Sequence, residues 1–212
     1  EVLVHIKFAS ICGTDMHIFP GDFHPRTQVP FIPGHEFGGI VAEIGEGVTG
    51  FAVGDKVAVD PIIRCNECPA CQRKHYPACT KLKLLGVDLD GGFAQYISVE
   101  PHMLFKAAPS TPDEHVALVE IYGIGFHANR RAGTKEGDVL AIWGAGRVGQ
   151  VILQAARTKT KGTIFIVDPL ESRLEIAVTN NENVIAINPE KENPVEAIKR
   201  YTDGKGVDIA FE

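Results

Sequence analysis

Cysteine and histidine spacing gives this chain its first chemistry. Cys65, Cys68, Cys71 and Cys79 follow C-x2-C-x2-C-x7-C spacing, and four thiolates in one short loop can close a tetrahedral zinc site with no open position. A site of that kind is structural. A nucleic-acid-binding zinc knuckle or an iron–sulfur cluster competes on spacing alone, but Tyr76 is the lobe's only aromatic, which leaves little stacking capacity for nucleic acid. Around the thiols, Arg64, Arg73, Lys74, Lys81 and Lys83 stand against Glu67. These cations offset the negative charge that four thiolates leave on Zn²⁺. The fifth cysteine, Cys12, lies in Ile11-Cys12-Gly13-Thr14-Asp15-Met16-His17, and Pro33-Gly34-His35-Glu36 follows shortly after. Alone, Cys12 reads as a small buried hydrophobe and His35 as a hydrogen-bonded turn residue. Together they are one soft and one borderline metal ligand.

A second chemistry is phosphate binding. Gly144-Ala145-Gly146-Arg147-Val148-Gly149 matches G-x-G-x-x-G, follows an apolar run, opens a helical pattern and precedes Asp168 by about 20 residues. Gly144 permits the tight turn, Gly146 lets a pyrophosphate approach the backbone, and Gly149 lets helix and strand pack closely. Val148 belongs to the same cofactor-binding set. Asp168 can accept both ribose hydroxyls, and its charge opposes a 2′-phosphate, so NAD is favoured over NADP.

The elements that must position these groups divide by texture. From Glu1 to about Tyr122, short alternating runs such as Lys56-Val57-Ala58-Val59-Asp60 are broken by glycine and proline, as in an irregular, mostly β domain. After Gly133 the pattern changes. Strands are expected at Val139–Trp143, Thr163–Val167, Val184–Ile187 and Val207–Phe211. Between them run helical stripes through Val148, Val151, Ile152 and Ala155, then Leu170, Leu174, Ala177 and Val178. Asn193-Pro194 reads as an N-cap and first helical position, with Val195 and Ile198 facing inward. That β-α-β-α-β-α-β order implies a parallel sheet.

Bulk properties fit this picture. The 212 residues suffice for one large or two modest domains, and a formal charge of −6 argues against whole-surface binding to nucleic acid or anionic lipid. No apolar run reaches the ~18 residues of a membrane span. Glu1-Val2-Leu3-Val4-His5-Ile6 alternates like a strand, lacks a signal peptide's layout and carries no initiator Met, so the start reads as cut from something longer. An odd cysteine count with no sign of secretion fits metal ligation in a cytoplasmic protein better than a disulfide framework.

The chain resembles the zinc-containing medium-chain alcohol and polyol dehydrogenases along essentially its whole length. The resemblance rests on Cys12-Gly13-Thr14-Asp15-Met16-His17, Gly34-His35-Glu36, the four-cysteine lobe, Gly92-Phe93-Ala94-Gln95-Tyr96 and the glycine fingerprint, in the family's order. It looks most like the sorbitol, threonine and butanediol enzymes. The resemblance implies an α/β protein with a GroES-like, mostly-β catalytic domain over residues 1–122, including a structural zinc lobe at 64–83. A partial Rossmann doubly wound sheet would occupy 123–212, opened by a linker helix, with a cleft between the two. The chain reads as truncated at both ends, because the family's later strands and returning catalytic segment do not follow.

The resemblance also assigns roles. A catalytic zinc would be held by Cys12 and His35, and a Cys-His-Cys site plus the lobe would need a sixth cysteine that the chain lacks. The family pattern puts the third position at Glu120, with Glu36 as the alternative. Thr14 stands where the relay hydroxyl stands, His17 where the relay imidazole stands, and Asp15 where a carboxylate orients His35. Arg173 matches a position near the adenosine ribose, although a solvated helix charge explains it nearly as well. Two zinc ions per subunit, NAD, a small alcohol or polyol substrate and a homo-oligomer (dimer or tetramer) are implied, with no nucleic-acid or membrane partner. A carbonyl reductase running in reverse, or a zinc-stabilised NAD-binding module without turnover, remains open. Three departures stand out: Ile121 where the polyol enzymes have proline, Gln95 for a common Glu, and Asn180-Asn181 where Gly-Ala often ends a helix.

Overall fold

The computed structural model describes residues 1–179 and 181–212, in two units, Glu1–Glu120 and Ile121–Glu212. Asn180, half of the Asn-Asn helix end read from the sequence, lies outside the described residues.

Alternation builds the first unit. In β1 (Val2–Ser10), Val2 and Val4 are fully buried while Leu3 and His5 between them are only half-buried. One turn of helix, α1 (Gly13–Ile18), follows, then β2 (Glu36–Ile44) returns antiparallel to β1 in a register running from Val2↔Ile44 to Ser10↔Glu36. The remaining elements are β3 (Lys56–Val59), β4 (Ile62–Ile63), α2 (Pro69–Gln72), β5 (Lys83–Leu84), β6 (Tyr96–Val99), β7 (Leu104–Lys106) and α3 (Asp113–Ala117). They give a five-stranded antiparallel sheet, ordered β6-β1-β2-β3-β7, with β4 and β5 as a separate small ribbon. Val2, Val4, Phe37, Val41, Val57, Val59, Val99 and Leu104 form its core. Each fully buried side chain of this kind contributes about 1.5–3 kcal/mol.

Helix α4 (Val119–Ala132) carries the chain into the second unit. There β8 (Leu140–Trp143), α5 (Arg147–Arg157), β9 (Ile164–Val167), α6 (Glu171–Val178), β10 (Val184–Ile187), α7 (Pro194–Tyr201) and β11 (Ile209–Phe211) alternate. The four strands are parallel, in the order β10-β9-β8-β11. Leu140, Ile142, Ile164 and Ile166 pack under Ile152, Leu153, Leu174 and Ala177 of α5 and α6, whereas Ala141, Phe165 and Val167 pack against Ala197 and Ile198 of α7. Burial on both faces explains why these strands read as continuous apolar runs. Helices on both faces, with the order reversing between β8 and β11, make this a doubly wound Rossmann half. In folds of this kind ligands bind beyond the carboxyl ends of the strands where the order reverses, which here is the end of β8.

Several expectations need correction at element ends. Val148, Leu170, Val178 and Val195, assigned to inward stripes by spacing, are 49%, 50%, 38% and 52% exposed. Each lies at or beside an end of its helix: Leu170 is the N-cap of α6, Val178 its last residue, and Val148 and Val195 the second residues of α5 and α7. The fourth strand begins at Ile209 rather than Val207, because Asp208 turns back to Val139: its N–H donates to the Val139 carbonyl and its carboxylate accepts the Val139 N–H. Asn193 does cap α7, accepting from the N–H groups of Val195 and Glu196.

A Cβ on Gly149 would sit 1.8 Å from the Gly144 carbonyl oxygen, so α5 cannot reach its place on β8 with any larger residue there. Gly149→Ala is expected to lower stability to urea by about 3 kcal/mol, the upper end for overpacking. Val195→Ser, at an exposed position, should stay within about 0.5 kcal/mol of the parent.

Candidate functional site

The β1–β2 ladder ends at Ser10↔Glu36, and the residues just beyond it are the candidate ligands. Two residues past Ser10, Cys12 N-caps α1, and one residue before Glu36 stands His35. One ligand atom each from Cys12, His35 and Glu36 lie within 4.8 Å of one another. His35 and Glu36 are buried and Cys12 half-buried. Asp15, in the first turn of α1 and buried, serves two of the three. Its Oδ2 accepts the Cys12 backbone N–H at 2.7 Å, and its Oδ1 lies 3.7 Å from His35 Nδ1. That second pair of atoms is fully buried, and neither has a hydrogen-bond partner. A proton on Nδ1 facing Asp15 leaves the Nε2 lone pair for a metal, the usual division of labour for a ligating histidine. Glu36 is held from the other side: the Ser10 hydroxyl donates to its Oε2. One thiol, one imidazole and one carboxylate at this spacing suit a zinc with a position left open.

The other residues assigned to this site are placed as follows. Thr14 is half-buried, its Oγ1 3.8 Å from Cys12 Sγ. His17 is exposed, with Nδ1 3.0 Å from Asp22 Oδ2. Glu120 lies half-buried in the first turn of α4, outside the mutual grouping of Cys12, His35 and Glu36.

What aims His35 is a backbone clamp. Gly34 has φ +96°, a conformation open to glycine, and a Cβ there would overlap the Phe93 ring at 2.5 Å. The N–H groups of Gly91, Gly92 and Phe93 donate to the carbonyls of Ile32, Gly34 and Pro33. Arg26 closes the same loop with two 2.8 Å bonds to Asp88, whose second role is to accept the Leu84 N–H. Sequence reading missed Ser10, Arg26 and Asp88, for their importance lies in pairings across 26 and 62 positions that no local spacing encodes.

The four-cysteine lobe closes on itself. All four sulfurs lie within 4.8 Å of one another, with Cys65 Sγ 3.6 Å from Cys79 Sγ and 4.0 Å from Cys71 Sγ. Four thiolates at 2.3 Å from one zinc would stand about 3.8 Å apart, so the donor set fits. Backbone N–H groups of Cys71 and Thr80 draw the Cys68 thiol down to about 6, whereas burial pushes Cys71 up to about 12. The charge around the lobe is partly self-paired: Lys81 bridges to Glu67, and the Arg64 guanidinium lies 4.0 Å over the Tyr76 ring.

In the second unit Gly144, at φ +96°, turns the chain off β8, and Gly146 N-caps α5 without bringing any side chain over the first-turn amides. That geometry and the helix dipole favour a phosphate. Asp168 stands at the end of β9, 3% exposed. Its Oδ2 accepts the Ala145 N–H at 2.8 Å, its Oδ1 accepts the Leu170 N–H at 2.9 Å, and Arg173 Nη1 lies 3.4 Å away. Burial pushes this carboxyl up, but the two amides and Arg173 outweigh it and hold it below the usual carboxylate range. Asp168 therefore braces the glycine turn. Val148 is half-exposed in the first turn of α5.

Residues 1–110 match the alcohol dehydrogenase GroES-like domain, and the chain belongs to that family. Over 213 residues it is 37% identical to the 2-dehydro-3-deoxy-L-galactonate 5-dehydrogenase of Pseudoalteromonas atlantica, and over 217 residues 36% identical to the sorbitol dehydrogenase of Bacillus subtilis. Both alignments take in the whole of this chain and 61% of the relative, so the chain spans about three fifths of the length of these curated relatives. The alcohol dehydrogenase TADH from Thermus sp. ATN1 superposes with a TM-score of 0.89 at 30% identity, covering 99% of this chain and 62% of that one.

Two predictions follow from these contacts. Cys65→Ser should cost the protein about one tightly held zinc and lower its melting temperature, read by metal analysis and calorimetry; unchanged zinc and stability would remove the lobe's structural role. Arg26 holds the Asp88 carboxyl below its usual range. The stability it confers is complete above about pH 4 and lost as pH falls through the lowered value. With Arg26 half-exposed, Arg26→Ala should cost only about 1 kcal/mol at pH 7 in urea unfolding, and the gap from wild type should close near pH 3.

Proposed function

We propose that this chain carries the metal-binding domain and the first nucleotide-binding half of a zinc-dependent oxidoreductase, one that transfers hydride from a secondary alcohol or polyol to NAD. The observation that carries the proposal is the convergence of Cys12, His35 and Glu36 at one end of the β1–β2 ladder, in a domain of the alcohol dehydrogenase family. Cys12, His35 and Glu36 would hold the catalytic zinc, with Glu120 as the competing carboxylate, and Cys65, Cys68, Cys71 and Cys79 the structural one. The names of the galactonate, sorbitol and threonine dehydrogenase relatives support a hydroxylated small-molecule substrate.

Zinc, when bound, supplies Lewis acidity to a hydroxyl oxygen, and the nicotinamide supplies the hydride acceptor. The chain's own groups do the rest. Thr14 Oγ1, beside Cys12, takes the alcohol's proton, and His17, exposed and steadied by Asp22, passes it to solvent. Asp15 keeps His35 in the tautomer that presents Nε2. Residues Gly144, Gly146, Val148 and Gly149 form the pyrophosphate seat, while Asp168 and Arg173 take the adenosine ribose. The carboxylate at that position opposes a 2′-phosphate and so supports NAD over NADP. A cytoplasmic homo-oligomer, dimer or tetramer, is the assembly we assign. The net charge of −6 supports small molecules over nucleic acid as partners, and among the described residues no helix is long and apolar enough to cross a membrane.

The test is metal analysis of the enzyme containing this chain, with NADH absorbance assays on polyols, diols, threonine and simple alcohols. About two zinc ions per chain are expected, with NAD preferred over NADP by at least about tenfold, or 1.4 kcal/mol. Glu36→Ala should lose more catalytic zinc than Glu120→Ala. A larger zinc loss from Glu120→Ala would transfer the ligand role to Glu120, and a tenfold preference for NADP would overturn the cofactor assignment.

A further inference from the structure

Of the three residues grouped at the end of the ladder, Asp15 steadies two. It fixes Cys12 through the backbone N–H and faces His35 Nδ1 with its other oxygen. Glu36 is steadied differently. It is 2% exposed, and its direct cross-strand partner in the last pair of the ladder is Ser10, whose hydroxyl donates to Oε2. A carboxylate's terminal torsion is broad and soft, unlike the staggered wells nearer the backbone. Anchoring one oxygen sets the plane of the group and hence the direction of the other. Backbone pairing keeps the two residues opposite each other, so the anchor is built into the sheet rather than into a mobile loop.

We propose that Ser10 is a positioning residue for the catalytic metal, acting through Glu36: its hydroxyl orients the carboxylate towards Cys12 and His35. This rests on the metal reading proposed above. Ser10 is not itself a metal ligand here, and the effect proposed for it passes through its hydrogen bond to Glu36. Partners of this kind are worth about tenfold to a hundredfold in metal affinity.

Cobalt(II) is the probe, titrated into the metal-stripped full chain. The bands that disappear in His35→Ala define this site, and the tetrathiolate bands of the lobe serve as an internal check on folding. Ser10→Ala and Ser10→Gly both delete the hydroxyl, and either one suffices if the other misfolds. Each should weaken cobalt binding at this site by about tenfold to a hundredfold and shift its visible bands, with the lobe's bands unchanged. Ser10→Thr restores a hydroxyl and should bind within a few-fold of wild type. In a Glu36→Ala background, Ser10→Ala should change nothing further, because the two act as one unit. Unchanged affinity and bands in the hydroxyl-deleted variants would overturn the proposal. So would an effect of Ser10→Ala that persists undiminished without Glu36, or a Ser10→Thr as impaired as Ser10→Ala. If the wild-type chain shows no bands that depend on His35, the metal reading itself fails, and Ser10 with it.

Discussion

The antiparallel pairing of β1 with β2 is the constraint on which the first unit and its candidate site depend. Its register delivers Ser10 opposite Glu36, and from that last pair the chain has only two residues to run to Cys12 and one to return to His35. A slip of one residue would send every side chain of a strand to the opposite face. The buried Val2 and Val4 on one strand and Phe37 and Val41 on the other resist such a slip. The apolar core thus sets the spacing of the polar groups at the end of the ladder. Asp15 and Ser10 then refine what the ladder has placed, each with a hydrogen bond to the partner in its reach.

The second unit solves a different problem by similar means. A phosphate seat needs backbone N–H groups at a helix start and no side chain in the way. The close approach of Gly149 to the Gly144 carbonyl and the positive φ of Gly144 fix that start against β8. Asp168 ties the turn from the neighbouring strand by accepting the Ala145 N–H. An acidic residue expected only to meet a ribose is thereby also part of the turn's frame, which makes it a harder position to change than a purely ligand-facing carboxylate.

The sequence made legible whatever is local or periodic. C-x2-C-x2-C-x7-C spacing announced the lobe, the glycine fingerprint announced the turn after β8, and Asn193-Pro194 announced the start of α7. Continuous apolar runs marked parallel strands because both faces are covered. Less legible were the ends, where Val148, Leu170, Val178 and Val195 keep the helical period but are 38–52% exposed. Least legible were the long-range partners: Ser10 is an unremarked residue until Glu36 is placed opposite it, and Arg26 until Asp88 is. The choice between Glu36 and Glu120 was open in the sequence for the same reason. Proximity to Cys12 and His35 is a property of strand pairing, and strand pairing is what brings Glu36 within reach of them.

Composition is split between the units in a way that separates them optically. All five cysteines fall in Glu1–Glu120, and the single tryptophan, Trp143 at the carboxyl end of β8, falls in Ile121–Glu212. Trp143 is 39% exposed, beside the glycine turn rather than sealed in either core cluster. Indole fluorescence therefore arises in one unit alone, and thiol reactivity in the other alone. Loss of order in each half of the chain carries its own colour, and the two can be followed in one sample without any introduced label.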